Sequence, residues 1–163
     1  MSVPFPRAGT LDFETAFPAL YERAYKVAYR MLGNRTEAEE VAQEAMARAF
    51  ERWDRLARDS APVGWVVRVS VNLAIDTFRR GARRGEPGPE RGRDDPSAAD
   101  RVALVRGLQV LPRRQREAVV LRYLADLHEA DVATTLGCGV GSVKQHASRG
   151  LARLRVVLGQ EGT

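Results

Sequence analysis

Six side chains near the end of the chain carry hydrogen-bonding chemistry on a regular spacing: Ser142, Lys144, Gln145, Ser148, Arg149 and Arg153. They interleave with Val143, Ala147, Leu151, Leu154 and Leu158, whose intervals of three and four mark the buried face of one helix. The hydroxyl, amide, ammonium and guanidinium groups fall on the other face with His146 and Arg155, where they can reach base edges or phosphate oxygens. A second polar series, Arg68, Asn72, Asp76 and Arg79, recurs at spacings of four, four and three along a mostly apolar segment. Such a stripe is usually the wet face of a helix, but asparagine among valines is a weak helix former and invites a second role. A third series, Glu39, Glu40, Gln43, Glu44 and Arg48, backs an apolar stripe and suits either plain solvation or docking of a basic partner.

Other chemistries find little support. One cysteine, Cys138, excludes an internal disulfide, and two histidines with that cysteine are too few and wrongly spaced for a metal cluster. No nucleophile–base pair, carboxylate dyad or phosphate-cradling loop emerges, so neither an enzyme nor a bound cofactor is expected. The net charge of +5 and pI near 10.0 suit a polyanionic partner, and the basic charge is almost all arginine, with lysine only at Lys26 and Lys144. No apolar run approaches the ~20 residues that span a bilayer, and the start lacks the layout of a signal peptide. A soluble, cytoplasmic protein is the expectation.

The elements that must position these groups are helices throughout. Residues before Thr10 contain two prolines and a glycine and read as a loose arm. An apolar stripe from Phe13 and Phe17 to Met31 predicts a first helix, started or restarted at Pro18 and stopped at Gly33 and Asn34. Thr36 and Glu39 form a capping-box pattern that opens a second, with Ala38, Val41, Ala45, Met46, Phe50 and Trp53 on its apolar side. The pattern breaks over residues 55–61, and Pro62 starts a third helix to about Arg80, with Trp65, Val66, Val69, Leu73 and Phe78 as candidate core. Residues 81–100 are rich in Gly, Pro, Arg, Asp and Ser without apolar period, which predicts a linker and domain boundary. Periodicity resumes at Val102 and runs to Leu111; Pro112 starts another helix.

Residues 128–155 then read as two helices meeting at a corner. Ala133, Gly137 and Val143 stand four and six residues apart: the small residue admits the second helix, the glycine ends the first in the left-handed conformation, and the valine plugs the angle. A helix-turn-helix of this kind usually places its second limb in a DNA major groove. The fold class is thus all-α, as two small helical domains, the second a helix-turn-helix, joined by a flexible linker.

In sum the chain resembles a sigma-70 family RNA polymerase sigma factor of the extracytoplasmic-function type, from about Phe13 to Leu158. Three segments carry the resemblance: AEEVAQEAMARAF at 38–50, similar to the clamp-binding helix; GWVVRVSVNLAIDTFRR at 64–80, similar to the promoter-melting and minus-ten segment; and LPRRQREAVVLRYLADLHEADVATTLGCGVGSVKQHASRGLARLR at 111–155, similar to the minus-thirty-five domain. The resemblance implies region two over 11–80, a linker over 81–100 and region four over 101–158. It implies that Glu39, Glu40, Gln43, Glu44 and Arg48 dock on core RNA polymerase. Residues 56–61 and Asn72 would receive a base swung from the minus-ten strand of promoter DNA, with Arg68, Asp76, Arg79 and Arg80 lining or flanking that strand. Lys144, Gln145, Ser148 and Arg149 would face the minus-thirty-five groove, and Arg113, Arg114, Ser142 and Arg153 would grip its backbone. An anti-sigma factor is a third partner that the resemblance leaves room for. The two domains are expected to lie together when free and to part on polymerase.

Departures bear on promoter choice. Gly139 stands where the family often has a stronger cap, His128 replaces a common Ser or Thr cap, and Gln145, His146 and Ala147 are not the commonest choices. Little follows Leu158, so no appended C-terminal regulatory domain is expected. Two other classes compete: a stand-alone helix-turn-helix regulator, which would bind duplex tightly without polymerase, and a helical adaptor or anti-regulator, whose function would be indifferent to Lys144 and Arg149.

Overall fold

The computed structural model describes residues 12–58, 61–84 and 98–161. The expected N-terminal arm and most of the expected linker lie outside the described residues. Among those residues there is no strand: the elements are α1 (Phe13–Leu32), α2 (Arg35–Glu51), α3 (Trp53–Arg58), α4 (Pro62–Arg84), α5 (Ala98–Val110), α6 (Arg113–Val119), a π-helical turn (Val120–Leu124), α7 (Glu129–Leu136) and α8 (Val140–Glu161).

The helix ends show what sequence chemistry does locally. Asp12 caps α1 by accepting from the Thr15 N–H at 2.8 Å, so the helix begins at Phe13, and Pro18, expected to start or restart it, is carried inside at an exposed position. Hydrogen bonding from the Thr15 side chain, and then from its backbone N–H, holds the Asp12 carboxyl below its usual pKa. Gly33 ends α1 at φ +64, as expected, and its N–H donates to the Tyr29 carbonyl at 2.8 Å. With Gly33 left-handed, the extended residue that follows is Asn34, so Asn34 rather than Thr36 caps α2, accepting from the Glu37 N–H at 2.9 Å. Residues 55–58, expected as a break, continue as the short helix α3, and α4 runs to Arg84 rather than stopping at Arg80.

Helices α1, α2 and α4 pack around Leu20, Ala24, Val27, Ala45, Met46 and Val66. A run of alanines on α2 (Ala38, Ala42, Ala45, Ala49) is fully buried, which lets α1 come close. Phe17 and Phe50, assigned to the apolar stripe, are 37% and 66% exposed; they rim an edge-to-face aromatic group with Phe13 and Trp53 instead of entering the core. On α4 the most buried residues include Val67, Val71, Ala74 and Ile75, whereas Trp65, Val69, Leu73 and Phe78 are half-buried. The reason is that a second set of helices covers that flank of α4.

That second lobe is built from α5 to α8 around Val105, Leu108, Leu121, Val132, Val143 and Leu154. Its buried residues and those on the inner faces of α1 and α4 form one continuous apolar cluster. The expected juxtaposition of two helical units is therefore observed, and α5 bridges them, touching α1, α4 and α8. Leu158, expected to be buried, is 38% exposed beyond the reach of the core.

Candidate nucleic-acid interface

The helix-turn-helix is found where the spacing put it, with α7 and α8 as its limbs. Gly137 takes φ +66; its N–H and that of Cys138 both return to the Ala133 carbonyl, the latter at 3.1 Å, so the glycine closes α7 in a Schellman-type turn. His128 precedes α7 in extended conformation and makes no side-chain cap. Val143, with no exposed surface, fills the angle between the limbs, and Ala133 lies buried opposite.

This corner sets α8 with Val143, Ala147 and Leu154 inward and Ser142, Lys144, Gln145, Ser148, Arg149, Arg153 and Arg155 outward, all exposed. The expected groups are thus brought together on one accessible face. Lys144 is not wholly idle: its Nζ lies 3.7 Å from a Glu129 carboxylate oxygen, and Arg122 approaches the same carboxylate at 3.9 Å. Both contacts are long, and the exposed Lys144 can leave the half-buried Glu129 for an incoming phosphate.

Arg113 and Arg114 stand at the start of α6, bound to one carboxylate. Glu117 is 8% exposed at its side chain and accepts from Arg113 Nε at 3.0 Å and from Arg114 Nη1 at 3.5 Å; Arg114 Nη1 also donates to the Leu136 carbonyl at 3.0 Å. The pair therefore presents guanidinium edges from a fixed base beside the corner. Arg116 turns the other way, donating to the carbonyls of Leu108, Gln109 and Leu111 and closing the end of α5; burial, with the charge of Arg79 nearby, lowers its pKa. Sequence reasoning missed Glu117, although its spacing of four and three from Arg113 and Arg114 is an ion-pair signature.

On α4 the polar stripe is divided. Asn72, Asp76, Arg79 and Arg80 are exposed, and the Arg80 Nε–H donates back to the Asp76 carbonyl at 3.4 Å. Arg68, 23% exposed, instead reaches into the second lobe, 3.1 Å from Glu117 and 3.4 Å from the Thr135 carbonyl. Of the expected base-receiving loop, Leu56 is buried and Arg58 is exposed and bonded to the Asp54 carbonyl; residues 59 and 60 lie outside the described residues.

The acidic face of α2 is continuous and outward. Glu40, Gln43, Glu44 and Arg48 are exposed and Glu39 half-buried; Glu44 pairs with Arg48 at 2.9 Å and Glu39 with Arg35 at 3.4 Å. Among the described residues no group of His, Cys, Asp and Glu could hold a metal ion, and no helix is long and apolar enough to cross a membrane.

Fold and surfaces together define a two-lobed, all-helical protein of the helix-turn-helix class. Residues 17–84 match the family model for sigma-70 region 2, and residues 101–154 match the model for sigma-70 region 4. The chain is 32% identical over 152 residues to the RNA polymerase sigma-E factor of Streptomyces avermitilis, covering 89% of this chain and 84% of that protein. It is 34% identical over 159 residues to the ECF RNA polymerase sigma factor SigM of Mycobacterium tuberculosis, covering 91% of this chain and 80% of the relative. Its fold is similar to that of CnrH, solved in complex with the cytosolic domain of CnrY, at a TM-score of 0.60 and 21% identity over 91% of this chain and 88% of the other. The chain belongs to the sigma-70 family of RNA polymerase sigma factors, in its extracytoplasmic-function group.

Proposed function

We propose that this protein is a dissociable initiation subunit that acts in the cytoplasm, binds core RNA polymerase, recognises two promoter elements and promotes strand opening without catalysing a reaction itself. The single observation that carries the reading is the coexistence, in one chain matching both sigma regions, of an outward recognition face on α8 and an outward acidic face on α2.

Each surface then has a task. Glu39, Glu40, Gln43, Glu44 and Arg48 dock on the polymerase, where complementary charge steers association and fixes register. Lys144, Gln145, Ser148 and Arg149 read the minus-thirty-five duplex: Gln145 has the amide geometry for a base edge, and the cations meet phosphate or guanine. Arg113, Arg114, Ser142 and Arg153 hold the flanking backbone. Asn72, with Arg68, Asp76, Arg79 and Arg80 beside it, receives the separated minus-ten strand; unstacking a base costs a few kcal/mol, which strand contacts offset. A sigma factor of similar fold, RpoE of Bartonella quintana, was solved in complex with the anti-sigma factor NepR, which supports a further role for such an inhibitor here.

A stand-alone regulator would leave the acidic face of α2 without a task. Transcription of a genomic library by purified core polymerase, with and without the protein, followed by mapping of start sites, tests the proposal. Starts that appear only with the protein and share one bipartite upstream motif are expected. An unchanged pattern of starts would overturn it.

A further inference from the structure

A cleft of about 250 Å³ lies beside the corner, between the π-helical turn and α8. Arg122 and Tyr123 come to its wall from the turn, Glu129 from the first residue of α7, and Lys144, Ser148 and Arg155 from one flank of α8, where they stand four and seven residues apart. Three cations and one carboxylate thus face a shared space alongside the recognition helix. Of these charges only Lys144 is among the promoter contacts proposed above.

The charges are linked in series. Arg122 is fixed from behind: its Nη1 donates to the Leu127 carbonyl at 2.8 Å, and its guanidinium lies 5.8 Å from the centre of the Tyr123 ring. Its Nη2 stands 3.9 Å from one Glu129 oxygen, and the other Glu129 oxygen stands 3.7 Å from Lys144 Nζ. Glu129 also sits in the first turn of α7, where the helix dipole favours an anion. The carboxylate is therefore held by groups that stay in place whether or not Lys144 is beside it. Lys144, on a flexible four-carbon stem and 64% exposed at its side chain, is the part that moves.

A stationary anion beside a mobile cation sorts the partners that the cation can take. When Lys144 swings to a backbone phosphate, that phosphate brings a full negative charge close to the Glu129 carboxylate, and repulsion cancels part of the contact. When it reaches instead to the O6 and N7 of a guanine, the acceptors carry only partial charge and the repulsion is small. Phosphates are present on every sequence, whereas a guanine edge is met only in the right register. A penalty that falls on the first contact and spares the second lowers affinity for arbitrary duplex more than for the cognate element.

We propose that Glu129 is a specificity-determining residue: an internal anion that makes Lys144 a poor phosphate contact and so leaves the recognition face dependent on base edges. This rests on the reading of α8 as the minus-thirty-five recognition helix, and adds to it a residue of α7 that acts through Lys144.

Full-length Glu129→Gln tests this by fluorescence anisotropy against two labelled duplexes, one carrying the mapped minus-thirty-five element and one with that element scrambled. The neutral amide should bind the scrambled duplex about three- to tenfold more tightly than the parent does and the mapped duplex less than about twofold more tightly, and should steepen the dependence of scrambled-duplex affinity on log salt by about 1, the mark of one added phosphate contact. Glu129→Asp keeps the charge and should keep most of the discrimination. Asp131→Asn removes the same charge from an exposed position of α7 and should shift both duplexes alike, by less than about twofold. Adding Lys144→Ala to Glu129→Gln should abolish the gain on the scrambled duplex. An unchanged scrambled-duplex affinity, equal gains on the two duplexes, a gain matched by Asp131→Asn, or a gain that survives Lys144→Ala overturns the proposal. A parent chain that binds the two duplexes equally removes the reading of α8 and this proposal with it, whereas a parent that prefers the mapped duplex while Glu129→Gln changes neither removes only the role of Glu129.

Discussion

Gly137 and Gly141 lie four residues apart in the same exposed corner, and alanine at the two positions should move stability in opposite directions. Gly137 ends α7 at φ +66 and nothing lies within 4 Å of where a methyl group would go, so alanine there meets only the backbone penalty of the left-handed region. That penalty is about 1–2 kcal/mol. Gly141 sits in the first turn of α8, without a positive φ and equally open, so alanine there removes a poor helix former and stabilises by up to about 1 kcal/mol. Asparagine tolerates the left-handed region, so Gly137→Asn should recover much of the loss. For a chain of this length 1 kcal/mol moves Tm by roughly 2–4 °C. Gly137→Ala should therefore lower Tm by roughly 2–8 °C and Gly141→Ala raise it by up to about 4 °C. Thermal unfolding followed by far-ultraviolet circular dichroism, with urea titrations alongside, reads both. A Gly137→Ala protein as stable as its parent, or an asparagine variant that loses as much as alanine, would refute the left-handed closure of α7.

Three further outcomes follow from named contacts. Val143→Ala empties a fully buried plug and should cost about 2–3 kcal/mol in urea unfolding, with minus-thirty-five binding weakened as the corner relaxes. Asn34→Ala removes the α2 cap and should cost about 1–2 kcal/mol, leaving duplex binding by the folded protein unchanged; no loss of stability would return the cap to Thr36. Lys144→Ala with Arg149→Ala should leave Tm within a degree or so, weaken binding to a minus-thirty-five duplex, and make its dependence on log salt shallower by about 2 if both cations meet phosphate. An unchanged affinity would favour an adaptor that merely resembles a DNA-binding protein.

What the sequence made legible is what local chemistry decides. The Ala133, Gly137 and Val143 spacing located the corner and the bounds of α7, because a left-handed turn and a 3.6-residue period are properties of adjacent residues. The outward faces of α2 and α8 followed from the same period. The α2 cap was misplaced because two capping patterns overlap, Asn34 with Glu37 and Thr36 with Glu39, and only the left-handed turn at Gly33 chooses between them. The π-helical turn at Val120–Leu124 inserts one residue into the helix, so Leu121 faces the core and the Leu124 and Ala125 carbonyls face α1; packing, not local propensity, dictates this. Arg68 was legible as polar and periodic but not as withdrawn, since its partner Glu117 is 49 residues away in the second lobe. The buried flank of α4 was missed for the same reason: Val67, Val71 and Ile75 are covered by helices whose approach no local pattern encodes.

The division of labour between surfaces is tested most directly by measuring, on one promoter, polymerase binding and permanganate reactivity of the minus-ten thymines for Asn72→Ala and for Glu40→Arg with Glu44→Arg. If α4 captures the strand and α2 docks the enzyme, the asparagine variant keeps polymerase affinity and loses strand opening, while the charge-reversed variant loses affinity first and opens whatever complex still forms. Equal losses in both readouts for both variants would contradict it.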